Sequence, residues 1–222
     1  MLIDKDFQNV KKLYQEQYDQ YGYSLKSLKM DKGKQDIRFD ILSSQYDFTG
    51  KSVLDIGCGF GDLNRKLRSF DTYSYLGIDL VDDFIKEAES RYTGDNIRFE
   101  CANIFDYAFS ENIDYAIGCG IFNMKFLERD NYDFVKSVMD KVFGVVNDGF
   151  AFDFLSDKVD YTLPETFHYS PEKILSMAYK LSRNVILRND YMPFEFSLFL
   201  FKDDSFSDVD TIFKLYKNRV KR

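Results

Sequence analysis

Apolar positions recur along this chain at two spacings, and the change from one to the other falls near Gly50. Over residues 4–20, Phe7, Val10, Leu13, Tyr14 and Tyr18 keep the three-and-four spacing of an amphipathic helix. Gly22 supplies a stop. After a polar stretch containing Gly33, Ile37, Ile41 and Leu42 predict a second helix over 34–46. Beyond Gly50, short apolar runs alternate with helical stretches. Strands are predicted over 52–56, 73–78, 97–101, 113–119 and 150–155, and helices over 63–70, 81–92, 132–146 and 171–181, the last opened by Pro171. Such alternation implies crossover units and a mainly parallel sheet covered on both faces. Two final strand-like runs, 184–191 and 194–202, are separated only by Met192-Pro193. That gap cannot hold a crossover helix, so the pair must be antiparallel. The expected organisation is a helical N-terminal extension or lid over 1–48, an α/β domain over 49–204 and a helical tail over 205–222.

Composition narrows the function classes. Among 222 residues there are 23 Phe and 16 Tyr but no Trp, which suits a Phe-rich core and an aromatic-lined pocket. A formal net charge of −7 argues against a duplex-binding surface, which needs clustered Lys and Arg to displace counterions from phosphates. The basic run Lys214, Lys217, Arg219, Lys221 and Arg222 is read as a solvated helix end. Cys58, Cys101 and Cys119 form no CxxC pair and are read as buried, reduced thiols of a cytoplasmic protein, with no metal-ligand set. No apolar run reaches the ~18 residues that a membrane span needs, and the N-terminus lacks the apolar core of a secretory signal.

The most specific stretch is Val53-Leu54-Asp55-Ile56-Gly57-Cys58-Gly59-Phe60-Gly61-Asp62-Leu63. A strand runs into three alternate glycines and then a helix. Glycines admit positive φ and close approach of a ligand to the backbone, and parallel sheets bind ligands at the carboxyl ends of their strands. Asp79 closes the second strand, where a carboxylate can accept both hydroxyls of a ribose. Asn103 follows the third strand, where an amide can pair with an adenine edge. The fourth ends in Gly118-Cys119-Gly120-Ile121-Phe122-Asn123. These residues resemble the class I methyltransferases that use S-adenosyl-L-methionine (SAM), over roughly residues 40–202. The resemblance implies a Rossmann-like seven-stranded sheet with an antiparallel last strand, and SAM as cofactor. It implies contacts from Asp55, Gly57, Cys58, Gly59, Gly61, Asp62 and Leu63 along the first turn. Asp79 would hold the ribose, Asn103 the adenine amino group, and Leu80 and Ile104 the faces of the ring, with Gly118 and Cys119 under the reactive end. The family most often has Asp where Asn103 stands. The segment 35–42, Gln-Asp-Ile-Arg-Phe-Asp-Ile-Leu, resembles a small-molecule subgroup in which Arg38 would pair with the SAM carboxylate. Residues 155–161, with 188–191 and Glu195-Phe196, are similar to methyltransferases that decorate bacterial surface polysaccharides.

A dinucleotide dehydrogenase would need a small residue where Asp62 stands. Nucleic-acid base methyltransferases of this fold usually carry Asn/Asp-Pro-Pro-Tyr/Phe after the fourth strand, and this chain has no proline there. The expected acceptor is therefore an O or N of a small molecule or sugar derivative, with no nucleic-acid or membrane partner, on a monomer or homodimer. A SAM-binding module without catalysis, or an RNA or protein methyltransferase, is the alternative. His168, the sole histidine, is the candidate general base. Asn123 is a second catalytic candidate. Tyr21, Phe122, Lys125, Tyr169 and Tyr191 are candidate acceptor contacts, and Tyr14, Tyr18, Tyr21 and Tyr23 a candidate lid.

Overall fold

The computed structural model describes residues 5–30, 33–109 and 112–220. Asp4, at the predicted start of the first helix, and Lys221 and Arg222 of the basic tail lie outside them.

Seven strands form one sheet among the described residues. In chain order they are β1 (Ser52–Ile56), β2 (Ser74–Asp79), β3 (Ile97–Cys101), β4 (Ile113–Gly118), β5 (Val146–Leu155), β6 (Val185–Arg188) and β7 (Glu195–Phe201), and in space β3-β2-β1-β4-β5-β7-β6. The first five pair in parallel, and β7 runs antiparallel to both β5 and β6. The order reverses beside β1, which places a crevice at the carboxyl ends of β1 and β4. The helices are α1 (Lys5–Tyr21), α2 (Gln35–Ser43), α3 (Asn64–Leu67), α4 (Asp82–Arg91), α5 (Asn131–Val145), α6 (Pro171–Ala178) and α7 (Lys214–Val220).

Period-two alternation along the strands divides the core. Phe150, Phe152 and Phe154 of β5, with Phe196 and Leu198 of β7, pack under α5 and α6. Ala151, Phe199 and Phe201 face the other way, onto Phe39 and Leu42 of α2 and the residues of α3 and α4. Much of the phenylalanine excess is used here: Phe122, Phe154 and Phe196 stack in series at 4.9 and 5.1 Å between ring centroids. Such pairs add about 0.5–1.5 kcal/mol beyond their burial.

Several boundaries differ from expectation. β5 begins at Val146, four residues before the predicted 150, because α5 passes into it without a loop. The helix predicted over 63–70 is a single turn, α3. The predicted tail helix forms only at α7, after a bridge between Phe206 and Phe213. Cys58 and Cys119 are buried as read, but Cys101 is exposed, because β3 is an edge strand that buries only Phe99 fully.

Candidate cofactor site

The turn after β1 holds its three glycines at φ +67°, +53° and +74° (Gly57, Gly59, Gly61), where a side chain would be strained. A Cβ on Gly57 would stand 2.6 Å from Ile121 Cγ2, so the turn and the segment after β4 meet across it. The backbone N–H of Gly59 donates to Asp79 Oδ2 (2.9 Å), and that of Val81 to Asp79 Oδ1 (3.0 Å). The carboxylate at the end of β2 is thus aimed by two amides. Burial raises its pKa, and the Val81 and Gly59 amides pull it back. On β1, Asp55 is 2% exposed and accepts from Tyr75 Oη (2.6 Å). Burial lifts its pKa to about 7 against the lowering effect of the Tyr75 bond. Beyond β3, Asn103 Oδ1 accepts from the N–H of Phe105 (2.9 Å), a local turn that fixes the side chain.

These groups border one cavity, which encloses about 1150 Å³ of empty space with its mouth included. Of the residues named from sequence, Asp55, Gly57, Cys58, Gly59, Asp79, Leu80, Asn103, Ile104 and Cys119 line it.

Others named from sequence are placed elsewhere. Gly61 lies against Phe99, and Gly118 against Phe152 and Ile121. Asp62 accepts from Tyr92 Oη (2.7 Å) and Tyr23 Oη (3.2 Å), and Leu63 is fully buried in the core. Arg38 is not free to meet a ligand carboxylate. Its Nε and Nη2 each donate to Glu195 at 2.7 Å, and Asp153 Oδ2 stands 3.5 Å from Nε. Burial alone would lower the pKa of this guanidinium, but the Glu195 bond and the Asp153 and Glu195 charges outweigh it and raise it.

The proposed catalytic and acceptor residues stand off the cavity wall. Both ring nitrogens of His168 are engaged, Nδ1 with Ser156 O (2.7 Å) and Nε2 with Thr166 Oγ1 (3.2 Å). Phe122 and Tyr169 are core residues, the tyrosine hydroxyl donating to Phe122 O (3.1 Å). Tyr191 pairs with Ser197 through its hydroxyl (2.7 Å). Asn123 and Lys125 bond through their backbones to Phe167 and Glu165 in a short ladder, and Lys125 and Tyr21 are exposed. Of the four lid tyrosines, Tyr14 alone lines the cavity. Sequence reasoning missed much of the rest of that wall, including Phe7, Val10 and Lys11 of α1, Met30, Gln35 and Ile121. The helical stripe Phe7-Val10-Tyr14 was the signal that could have found it.

The reversal of strand order, the glycine turn and the acid at the end of β2 define a class I methyltransferase fold of Rossmann type. Residues 53–149 match the family model described as a methyltransferase domain. A curated relative, an mRNA cap guanine-N(7) methyltransferase of Candida glabrata, is 29% identical over 118 residues, 49% of this chain. The match spans only 28% of that relative's length. Among solved structures, magnesium protoporphyrin IX methyltransferase (ChlM) of Synechocystis PCC 6803 with bound SAH matches at TM-score 0.65 and 12% identity, over 89% of this chain and 100% of that one. A DhpI–SAH complex matches at TM-score 0.66 and 16% identity, over 87% of this chain and 95% of that one.

Proposed function

We propose that this chain transfers a methyl group from SAM to an O or N of a small molecule or sugar derivative. The observation that carries the reading is the single cavity on which the glycine turn, Asp79 and Asn103 converge from three consecutive strand ends. The residues fit the cofactor. Gly57 and Gly59 leave backbone where a Cβ would crowd Ile121 or Leu28. Asp79 keeps lone pairs beyond its two amide bonds for ribose hydroxyls. When bound, SAM supplies an electrophilic methyl group on a sulfonium. The protein's part is then to orient the acceptor and exclude water, which can be worth ~7–11 kcal/mol without any acid or base. Asp79, whose two amide bonds favour its charged form, gives the floor a negative character suited to a cationic ligand. Ile121, Met30 and Met124 give the acceptor side an apolar lining.

The small-molecule acceptor is supported by the largely apolar wall that α1 adds to the cavity through Phe7, Val10 and Tyr14. No described helix is long and apolar enough to cross a membrane. The match to a cap guanine-N(7) methyltransferase supports a second reading, in which the acceptor is a purine nucleotide. Calorimetry with SAM, S-adenosylhomocysteine (SAH) and NAD tests the cofactor, with binding of the first two and not the third expected. Production of SAH across a panel of small alcohols, amines, sugar nucleotides and a capped oligonucleotide tests the acceptor. Turnover of the oligonucleotide alone would overturn the small-molecule reading.

A further inference from the structure

We infer that Asp6 is a positioning residue that latches α1 across the cavity, and that the latched helix presents the Tyr14 hydroxyl to the bound ligand. The inference rests on the cofactor site proposed above.

The latch is a buried carboxylate held by consecutive amides. Asp6, in the first turn of α1, is 2% exposed. Its Oδ1 accepts from the N–H of Leu127 (2.9 Å) and Glu128 (3.3 Å), and its Oδ2 from Glu128 (3.1 Å) and Arg129 (3.1 Å). Successive backbone N–H groups of this kind form an anion-binding nest, here filled by the protein's own side chain. Next to it Phe7 packs edge-on against Phe126 and Phe134, and the Arg129 guanidinium covers its ring at 5.1 Å. The nest lies between the cavity-lining Met124 and Phe126 and the start of α5, whose Phe134 and Val138 also line the cavity. Asp6 therefore ties the roof helix to the opposite wall. The far half of α1 is anchored separately on α4, through Gln15 to Asp83 (2.8 Å) and Tyr18 to Glu87 (3.0 Å).

Tyr14 lies between these two anchors. The other tyrosines packed near this end of the sheet spend their hydroxyls on the protein: Tyr18 on Glu87, Tyr23 and Tyr92 on Asp62, Tyr75 on Asp55. The Tyr14 ring is braced edge-on by Phe84 at 6.3 Å. Its hydroxyl feels burial and the charges of Asp79 and Arg38 but receives no hydrogen-bonding side chain. Burial and the Asp79 charge push its pKa up to about 12, so it remains a donor near neutral pH and cannot serve as a base. Tyr14 is half-buried, and no buried side-chain N or O among the described residues lacks a partner, so its hydroxyl opens onto the cavity that the residue lines. Within reach of the Asp79 charge, that hydroxyl finds its pair in the ligand.

The experiment compares wild type, Tyr14→Phe, Asp6→Asn and the double variant by SAH calorimetry and by amide hydrogen exchange over 5–21 and 124–130. Asn replaces an acceptor oxygen with an NH₂ group that faces donors. Asp6→Ser, which keeps one acceptor, stands in should the Asn protein not fold. Tyr14→Phe is expected to weaken SAH binding about threefold to tenfold, the range of one hydrogen bond, with exchange unchanged. Asp6→Asn is expected to speed exchange in both segments and weaken binding at least as much. The double variant should bind within about twofold of Asp6→Asn, because residues acting through one another are non-additive. Additive losses, unchanged affinity in Tyr14→Phe, or unchanged exchange in Asp6→Asn would each overturn the proposal. Failure of the wild type to bind SAH would instead remove the cofactor reading, and exchange alone would then decide on the latch.

Discussion

Two groups of carboxylates, all buried except the half-buried Asp79, stand near the carboxyl ends of the same sheet and are treated in opposite ways. Asp153 on β5 and Glu195 on β7 close around the guanidinium of Arg38, with the N–H of Gly120 on Asp153 at 2.6 Å. Asp55 on β1 and Asp79 on β2 have no cation within bonding distance among the described residues; a tyrosine and two amides hold them at the cavity. Burial raises the pKa of Asp55, Asp79 and Asp153 alike; the Arg38 charge lowers that of Asp153, and Lys11, on the cavity wall, acts on Asp79 without bonding it. A buried acid with an internal counter-charge belongs to the framework, since its energy is settled before any ligand arrives. An acid without a bonded cation, on the wall of a cavity, is left for something that binds.

The largest expected effect tests the framework half. Arg38→Met should cost about 3–5 kcal/mol in denaturant unfolding, because it strands two buried carboxylates. The double change with Glu195→Gln should recover part of that loss. A small cost, with SAH affinity abolished, would move Arg38 from the framework to the ligand. Next, Asp79→Ala should weaken SAM and SAH binding roughly 100-fold, the scale of two hydrogen bonds to a charged group, with a stability cost smaller than that of Arg38→Met, from the freed Gly59 and Val81 N–H groups. Equal losses in the Arg38 and Asp79 variants would dissolve the distinction.

A smaller effect is the pH dependence of Asp55. Its carboxyl titrates at about 7 in the fold against an ordinary 3.8. Between those values the native chain holds a proton that the unfolded chain has released. Stability should therefore fall as pH rises from about 4 to about 7, by at most ~1.4 kcal/mol per unit, and level off above. Asp55→Asn should flatten that slope in urea titrations taken at successive pH values. An identical slope would mean the carboxyl is not shifted. The smallest effect is at His168, whose ring is bound to Ser156 and Thr166 away from the cavity. His168→Ala should leave turnover within about twofold; a tenfold loss would restore it as the base.

What could be read from the chain followed from local rules. The glycine turn, the acids at strand ends and the antiparallel hairpin are written in adjacent residues, and the strand and helix periods found most elements. The unread part is non-local. The spacing of Phe7, Val10 and Tyr14 announces a helix but not the surface it covers, so a cavity roof resembled an ordinary packed helix. Arg38 has the right neighbours for a carboxylate ligand, yet its partner Glu195 lies 157 positions away. Phe122 and Tyr169 sit in loops that sequence alone would place at the ligand, whereas their bulk fills the core. The early start of β5 was hidden because Val145 and Val146 suit a helix and a strand equally well.

The insertion of β7 between β5 and β6 also has a consequence for synthesis. α2 is made early, but the acid that neutralises its arginine arrives only with the last strand of the sheet. Until then, packing α2 against β5 would bury a cation beside Asp153 alone, with the two backbone edges flanking β7 still open. The ribosome must release the chain through Phe201 before this half of the sheet can close, so chains truncated before β7 leave the edges of β5 and β6 unpaired.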